Sequence, residues 1–134
     1  VHWGENYTEV IDRQRLYARE FSRAGFDLVV GTGPHMIQPI DLVEGMPVVY
    51  SIGNFVFGTP GRFAEQHPGF GLVLKTTFTP NQKPRLQAQC IVTDNEVVNF
   101  QPRLCNDPQS QQVLTSLNAG MVVSAGLGEL FNRG

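Results

Sequence analysis

Residues 25–38 read GFDLVVGTGPHMIQ, and the fold turns on how the apolar run inside them is placed. Asp27-Leu28-Val29-Val30 shows no alternation of apolar and polar residues. That pattern fits a short strand covered on both faces, as in a parallel sheet flanked by helices. Gly25 stands just upstream, where a helix ending in the left-handed conformation places a glycine. The helix it closes spans residues 8–24 by periodicity. Val10, Tyr17, Phe21 and Ala24 share one face with Gln14 among them, and Asp12, Arg15, Arg19 and Arg23 line the other. Glu9 and Arg13 stand four apart in the favourable order. Further upstream, Val1-His2-Trp3 reads as the tail of a strand. Strand, helix and strand together make a βαβ unit.

Downstream the pattern changes. Residues 39–55, PIDLVEGMPVVYSIGNF, read as two strands joined by a turn at Glu44-Gly45. Residues 56–69 hold three glycines and two prolines and read as a loop. Three alternating stretches follow. The first places Leu72, Leu74, Thr76 and Phe78 on one face, the second Leu86, Ala88, Cys90 and Val92, the third Val98, Phe100 and Leu104. This is an antiparallel meander with one face on a core, its turns at residues 80–84 and 94–95. Asp107-Pro108 starts a helix and Gly120 ends it. The tail from Ser124 to Gly134 carries only a weak helical pattern. The whole is an α/β (α+β) chain: a βαβ unit, an antiparallel meander and a C-terminal helix, in one domain over residues 1–134.

The composition excludes several functions. A net charge of −2 leaves no electrostatic footprint for nucleic acid. No apolar run approaches the roughly 20 residues that span a bilayer. The chain opens on Val1 and reads as a piece of a longer or processed polypeptide, so a targeting segment could stand upstream. Two cysteines do not decide the redox compartment. Cys90 reads as a small buried residue of its strand, and a bridge to Cys105 stays open.

His2 and His35 follow the two strands of the βαβ unit. If those strands are neighbours, both imidazoles lie at one carboxyl edge, where open α/β sheets bind ligands. Beside glycines, a histidine there can meet an ion or an oxyanion; alone, it is more often a hydrogen-bonded turn residue, and the shared edge brings the pair to even terms. Two histidines fall short of a hydrolytic metal centre, which wants three or more protein ligands. Glu5 and Asn6 could add oxygen, whereas Asp41 sits inside a strand. Asn54, in Ser-Ile-Gly-Asn-Phe, is a turn former or an orienter of substrate or imidazole. Trp3 is core or a pocket wall, and His67 a solvated loop residue. Gly31 and Gly33 do not continue into a dinucleotide fingerprint.

These stretches together, HWGENY at 2–7, GFDLVVGTGPHMIQPIDLVEG at 25–45 and SIGNFVFG at 51–58, resemble the second half of the bacterial capsule-synthesis protein A (CapA) family, linked to poly-γ-glutamate. The resemblance covers about residues 1–79. It implies part of a four-layer α/β/β/α sandwich of the calcineurin-like metallophosphatase superfamily, with a divalent metal ion (Mn, Zn or Fe). His2 and His35 are the metal-site positions it implies, with Glu5 and Asn54 orienting water or substrate. Threonine stands at 32 where the family often has histidine, and asparagine at 6 where it often has glutamate. The resemblance further implies metal-dependent hydrolysis, completed by an N-terminal half upstream of Val1, or else a non-catalytic module for polymer binding or assembly. Its partners would be polyglutamate or another surface polymer and a membrane complex, at the extracellular or periplasmic side of a bacterial envelope.

Overall fold

Val1 to Trp3 lie parallel to residues 30–32. Trp3 N–H donates to the Thr32 carbonyl at 2.9 Å, and Thr32 N–H to the Val1 carbonyl at 2.8 Å. His2 and Thr32 are the bridge partners. The computed structural model describes residues 1–57, 69–117, 121–124 and 127–130. Its elements run α1 (Asp12–Arg23), β1 (Val29–Val30), β2 (Ile37–Val43), β3 (Met46–Ile52), β4 (Phe70–Thr77), β5 (Arg85–Val92), α2 (Asn95–Val98), β6 (Arg103–Leu104), α3 (Asp107–Ser116), β7 (Met121–Ser124) and β8 (Leu127–Leu130).

The first sheet has the order β1-β3-β2. β1 pairs parallel with β3, Val29 opposite Val48, and β2 pairs antiparallel with it. Gly31 turns its N–H to Val49 of β3 while Thr32 turns its own to Val1, so the opening segment lies on the outer side of β1. The βαβ unit is therefore right, with its two parallel segments adjacent. Glu44 and Gly45 both have positive φ, 49° and 85°, which matches the right-handed twist of a two-residue hairpin turn.

β3 is the buried centre, with Met46 to Ser51 all covered. Successive side chains face opposite ways. Val48 and Tyr50 join Trp3, Ala18, Val29 and Met46 under α1. Val49 joins Ile40, Leu72, Leu86, Ala88, Cys90, Val113 and Leu117 on the other face. The Trp3 indole crosses Gly31 to donate to the Tyr50 carbonyl at 2.7 Å. A Cβ on Gly31 would collide with both groups, so only glycine fits there.

The second sheet runs β4-β5-β8-β7, with β6 also on β5. Leu72 faces Cys90 and Leu74 faces Ala88, the inward set expected from alternation. Gly53 and Gly71 bridge the two sheets. α3 is capped by Asn106, whose Oδ1 accepts from Gln109 N–H at 3.0 Å while Gln109 Oε1 accepts from Asn106 N–H.

Several details differ from the sequence reading. α1 begins at Asp12, because Gln14 Oε1 accepts from Ile11 N–H and closes the helix there. Its buried residues are Gln14 and Ala18, and Tyr17 is exposed. The stretch from Glu96 to Leu104 is no continuous strand. Asp94 caps the short α2 by accepting from Glu96 N–H, and Asn99 and Phe100 turn out at positive φ before β6. Of the tail, Leu127–Leu130 is a strand paired antiparallel with Met121–Ser124, not a helix. Cys90 and Cys105 are joined by a disulfide. Residues 58–68, which hold most of the glycine-rich loop and His67, lie outside the described residues.

Candidate functional site

The site forms where the chain leaves β1. Pro34 is buried, and the next residue, His35, takes φ 61°. A non-glycine residue in the left-handed region is uncommon and held there by its surroundings. Tyr7 has φ 55°, and its N–H donates to the Pro34 carbonyl at 2.8 Å. Two backbones with positive φ thus brace one another.

His35 lies half-buried, its Nδ1 2.9 Å from Asn54 Oδ1. An amide oxygen only accepts, so Nδ1 donates, and in the neutral tautomer this leaves the lone pair on Nε2. Asn54 reaches this place because β3 ends at Ile52 and Gly53 turns the chain at φ 71°. Aromatic rings flank the imidazole: Phe57 at 4.6 Å between centroids and Tyr7 at 5.9 Å. Asn95, nearly fully buried at the start of α2, donates through Nδ2 to the Phe57 carbonyl. The short α2 after β5 therefore buttresses the rim. Asn54 Nδ2, Thr93 Oγ1 and Asn95 Oδ1 are buried polar atoms without a hydrogen-bond partner among the described residues.

A buried pair of amides stands behind the rim. Gln14 Nε2 donates to Gln38 Oε1 at 2.9 Å, and Gln38 Nε2 donates to the Thr8 carbonyl at 2.8 Å. Near this pair, burial pushes the Tyr50 hydroxyl above its usual pKa, with the Arg15 guanidinium acting in the opposite direction.

The structure brings His35 and Asn54 into contact, and among the described residues no hydrogen bond joins the other candidates to them. His2 is exposed on the outer segment. Among the described residues its side chain makes no hydrogen bond or ion pair, and neither does that of Glu5, which is also exposed. Asp41 is exposed on β2, and Trp3 belongs to the core. Among the described residues no three His, Cys, Asp or Glu side chains converge as metal ligands. The described donors alone therefore do not fit a divalent ion, which needs such a set.

Sequence reasoning missed Tyr7, Phe57, Gln14 and Gln38. Gln14 had a signal, a polar residue in the middle of an apolar helix face. Tyr7 and Phe57 had none, since their relation to His35 depends on two separate turns.

The segment that carries this rim has relatives in sequence. Residues 1–59 match the family described as bacterial capsule synthesis protein PGA_cap, and this segment is similar to capsule-synthesis CapA proteins. It is 49% identical over 57 residues to the PGA biosynthesis protein CapA of Bacillus subtilis (strain 168), covering 42% of this chain and 15% of that protein. It is 42% identical over 58 residues to the capsule biosynthesis protein CapA of Bacillus anthracis, covering 42% of this chain and 14% of that one. It is 38% identical over 56 residues to the uncharacterized protein y4sH of Sinorhizobium fredii (strain NBRC 101917 / NGR234), covering 42% and 12%. The chain thus spans about 15% of the length of the curated relatives it matches. His35 and Asn54 both fall inside the matched residues.

Proposed function

We propose that this chain serves the biosynthesis of a capsule polymer of the poly-γ-glutamate type, with the His35 rim as its working centre. One observation carries the reading: the 2.9 Å contact between His35 and Asn54, inside the segment that matches the capsule-synthesis family. It fixes the imidazole with a lone pair on Nε2, which can accept a proton or a hydrogen bond from water or from a polymer amide. In this role Asn54 positions the imidazole, and His35 works on the polymer or its precursor in a hydrolytic step.

The two packed sheets, with α1 over the outer face of the first, would form part of a larger four-layer metallophosphatase-like sandwich. A divalent ion at His2 and His35 belongs to that proposal only with ligands beyond the described residues. Those ligands would come from further residues of a longer protein of the relatives' kind. That no three metal-capable side chains converge among the described residues favours a second reading, in which the same rim holds the polymer without cutting it. Work at the outer side of the envelope is part of the proposal. The Cys90–Cys105 disulfide supports it, because such bonds persist in oxidising compartments.

The test is polymer yield and chain length in cells whose own copy is replaced by a variant. His35→Ala is expected to lower the yield about tenfold or more, the scale of losing a proton acceptor. Longer chains in the polymer that remains would mark hydrolysis, and loss of cell-bound polymer at unchanged chain length would mark holding. Unchanged yield, length and retention would overturn the reading.

A further inference from the structure

We infer that the buried Gln14–Gln38 amide pair is a clasp that positions the His35 site, by pinning the loop from Gly4 to Ile11 against the rim. The inference rests on the reading of His35 as the working centre. Each side chain is 1% exposed, and both lie between α1 and β2. An amide buried this deeply stays only where its hydrogen bonds are made, since an unmet one is strongly unfavourable.

Their bonds point at the loop. Gln38 Nε2 holds the Thr8 carbonyl, and Gln14 Oε1 holds Ile11 N–H at 3.1 Å. Gln14 Nε2 closes the pair onto Gln38 Oε1. Gly4 sits close enough that an added Cβ would press on Gln14 and on Pro34, so the near end of the loop is seated on the same side chain. Between these anchors lies Tyr7. Its N–H binds the Pro34 carbonyl, and its ring stands beside the imidazole.

The chain of fixed contacts therefore runs from α1 through two amides to the loop, and from the loop to His35. A pair of apolar residues of similar size could fill the same space. It would give up four directed hydrogen-bonding atoms, and with them the fixed position of the loop. Gln14 and Gln38 are positioning residues, acting on the site through Thr8, Ile11 and Tyr7.

The test is the double variant Gln14→Leu/Gln38→Leu in the full chain. Replacing both amides removes the pair together and frees only the Thr8 carbonyl and Ile11 N–H of the loop, so the fold is expected to survive with the loop loosened. Tyr7 N–H should exchange with solvent about tenfold faster relative to the β3 amides. The 15N resonances of the His35 imidazole should move from a single protonated Nδ1 form toward an average of the two tautomers. A folded double variant with both readouts unchanged would overturn the clasp.

If the double variant does not fold, the unaltered chain provides the second measurement. The Gln38 side-chain protons and the Tyr7 amide should exchange through one common opening, with protection agreeing within about tenfold. Independent openings would overturn the inference. Failure of the clasp leaves the His35→Ala effect on polymer intact, whereas absence of that effect overturns the functional reading even where the clasp holds.

Discussion

The two sheets are built on different principles. The first is mixed, with a strand covered on both faces, and it carries His35, Asn54 and the whole family match. The second is antiparallel along its main path, buries one face, and is stapled by Cys90–Cys105. A parallel crossover sends its strand ends to a common rim, where side chains from distant parts of the chain can meet. A meander returns immediately and gathers no such rim. Its part is support: Leu72, Leu86 and Ala88 fill the space behind Val49, and Asn95 steadies Phe57 beside the imidazole.

The sharpest way to break this division is Gly31→Ala. The new methyl would press on the Trp3 indole and the Tyr50 carbonyl and cost their hydrogen bond. We expect a loss of about 3–5 kcal/mol in urea unfolding, the sum of overpacking and a broken buried bond. The His35 resonances should shift in whatever folded chain remains. A stable variant with unshifted resonances would show that the rim does not depend on the first sheet's packing.

Reduction of the disulfide is next. It closes a loop with a sequence separation of 15, and such a closure contributes about 3 kcal/mol on the chain-entropy account. Thermal unfolding should fall accordingly, while the tautomer of His35 stays as it was. Movement of the His35 signals on reduction would erase the distinction between support and site.

Tyr50→Phe is the smallest. The hydroxyl's pKa is raised in the fold by burial, so the folded chain holds that proton more tightly than the unfolded one. That contribution is complete below the ordinary tyrosine value of 10.0 and is lost as pH rises through the folded value. The wild-type chain should lose stability above pH 10, and Tyr50→Phe should flatten that pH dependence. Equal slopes in both chains would mean that the hydroxyl is not protected by the first sheet.

Much of the first sheet was legible in the sequence because its signals are local. Leu28-Val29-Val30 without alternation, the glycine after α1 and the Glu44-Gly45 turn each follow from nearby residues. The inward faces of β4 and β5 were legible for the same reason. The stretch after β5 was not. Val98, Phe100 and Leu104 alternate like a strand, but the Asp94 cap and the positive φ of Asn99 and Phe100 override that pattern. Of the site, His35 and Asn54 could be singled out because each follows a strand beside a glycine. Their direct contact depends on the Gly53 turn. Tyr7, Phe57 and the amide pair depend on tertiary meeting, which spacing alone does not encode.

The left-handed backbone at position 35 sets function against robustness. A side chain held at φ 61° gives up roughly 1 kcal/mol that a glycine would not. Laboratory evolution of this chain for heat tolerance alone would therefore favour removing the imidazole, and hardier descendants would emerge with a vacant rim. Any stabilisation campaign must screen for capsule phenotype alongside melting behaviour, or it will discard the one side chain it should keep.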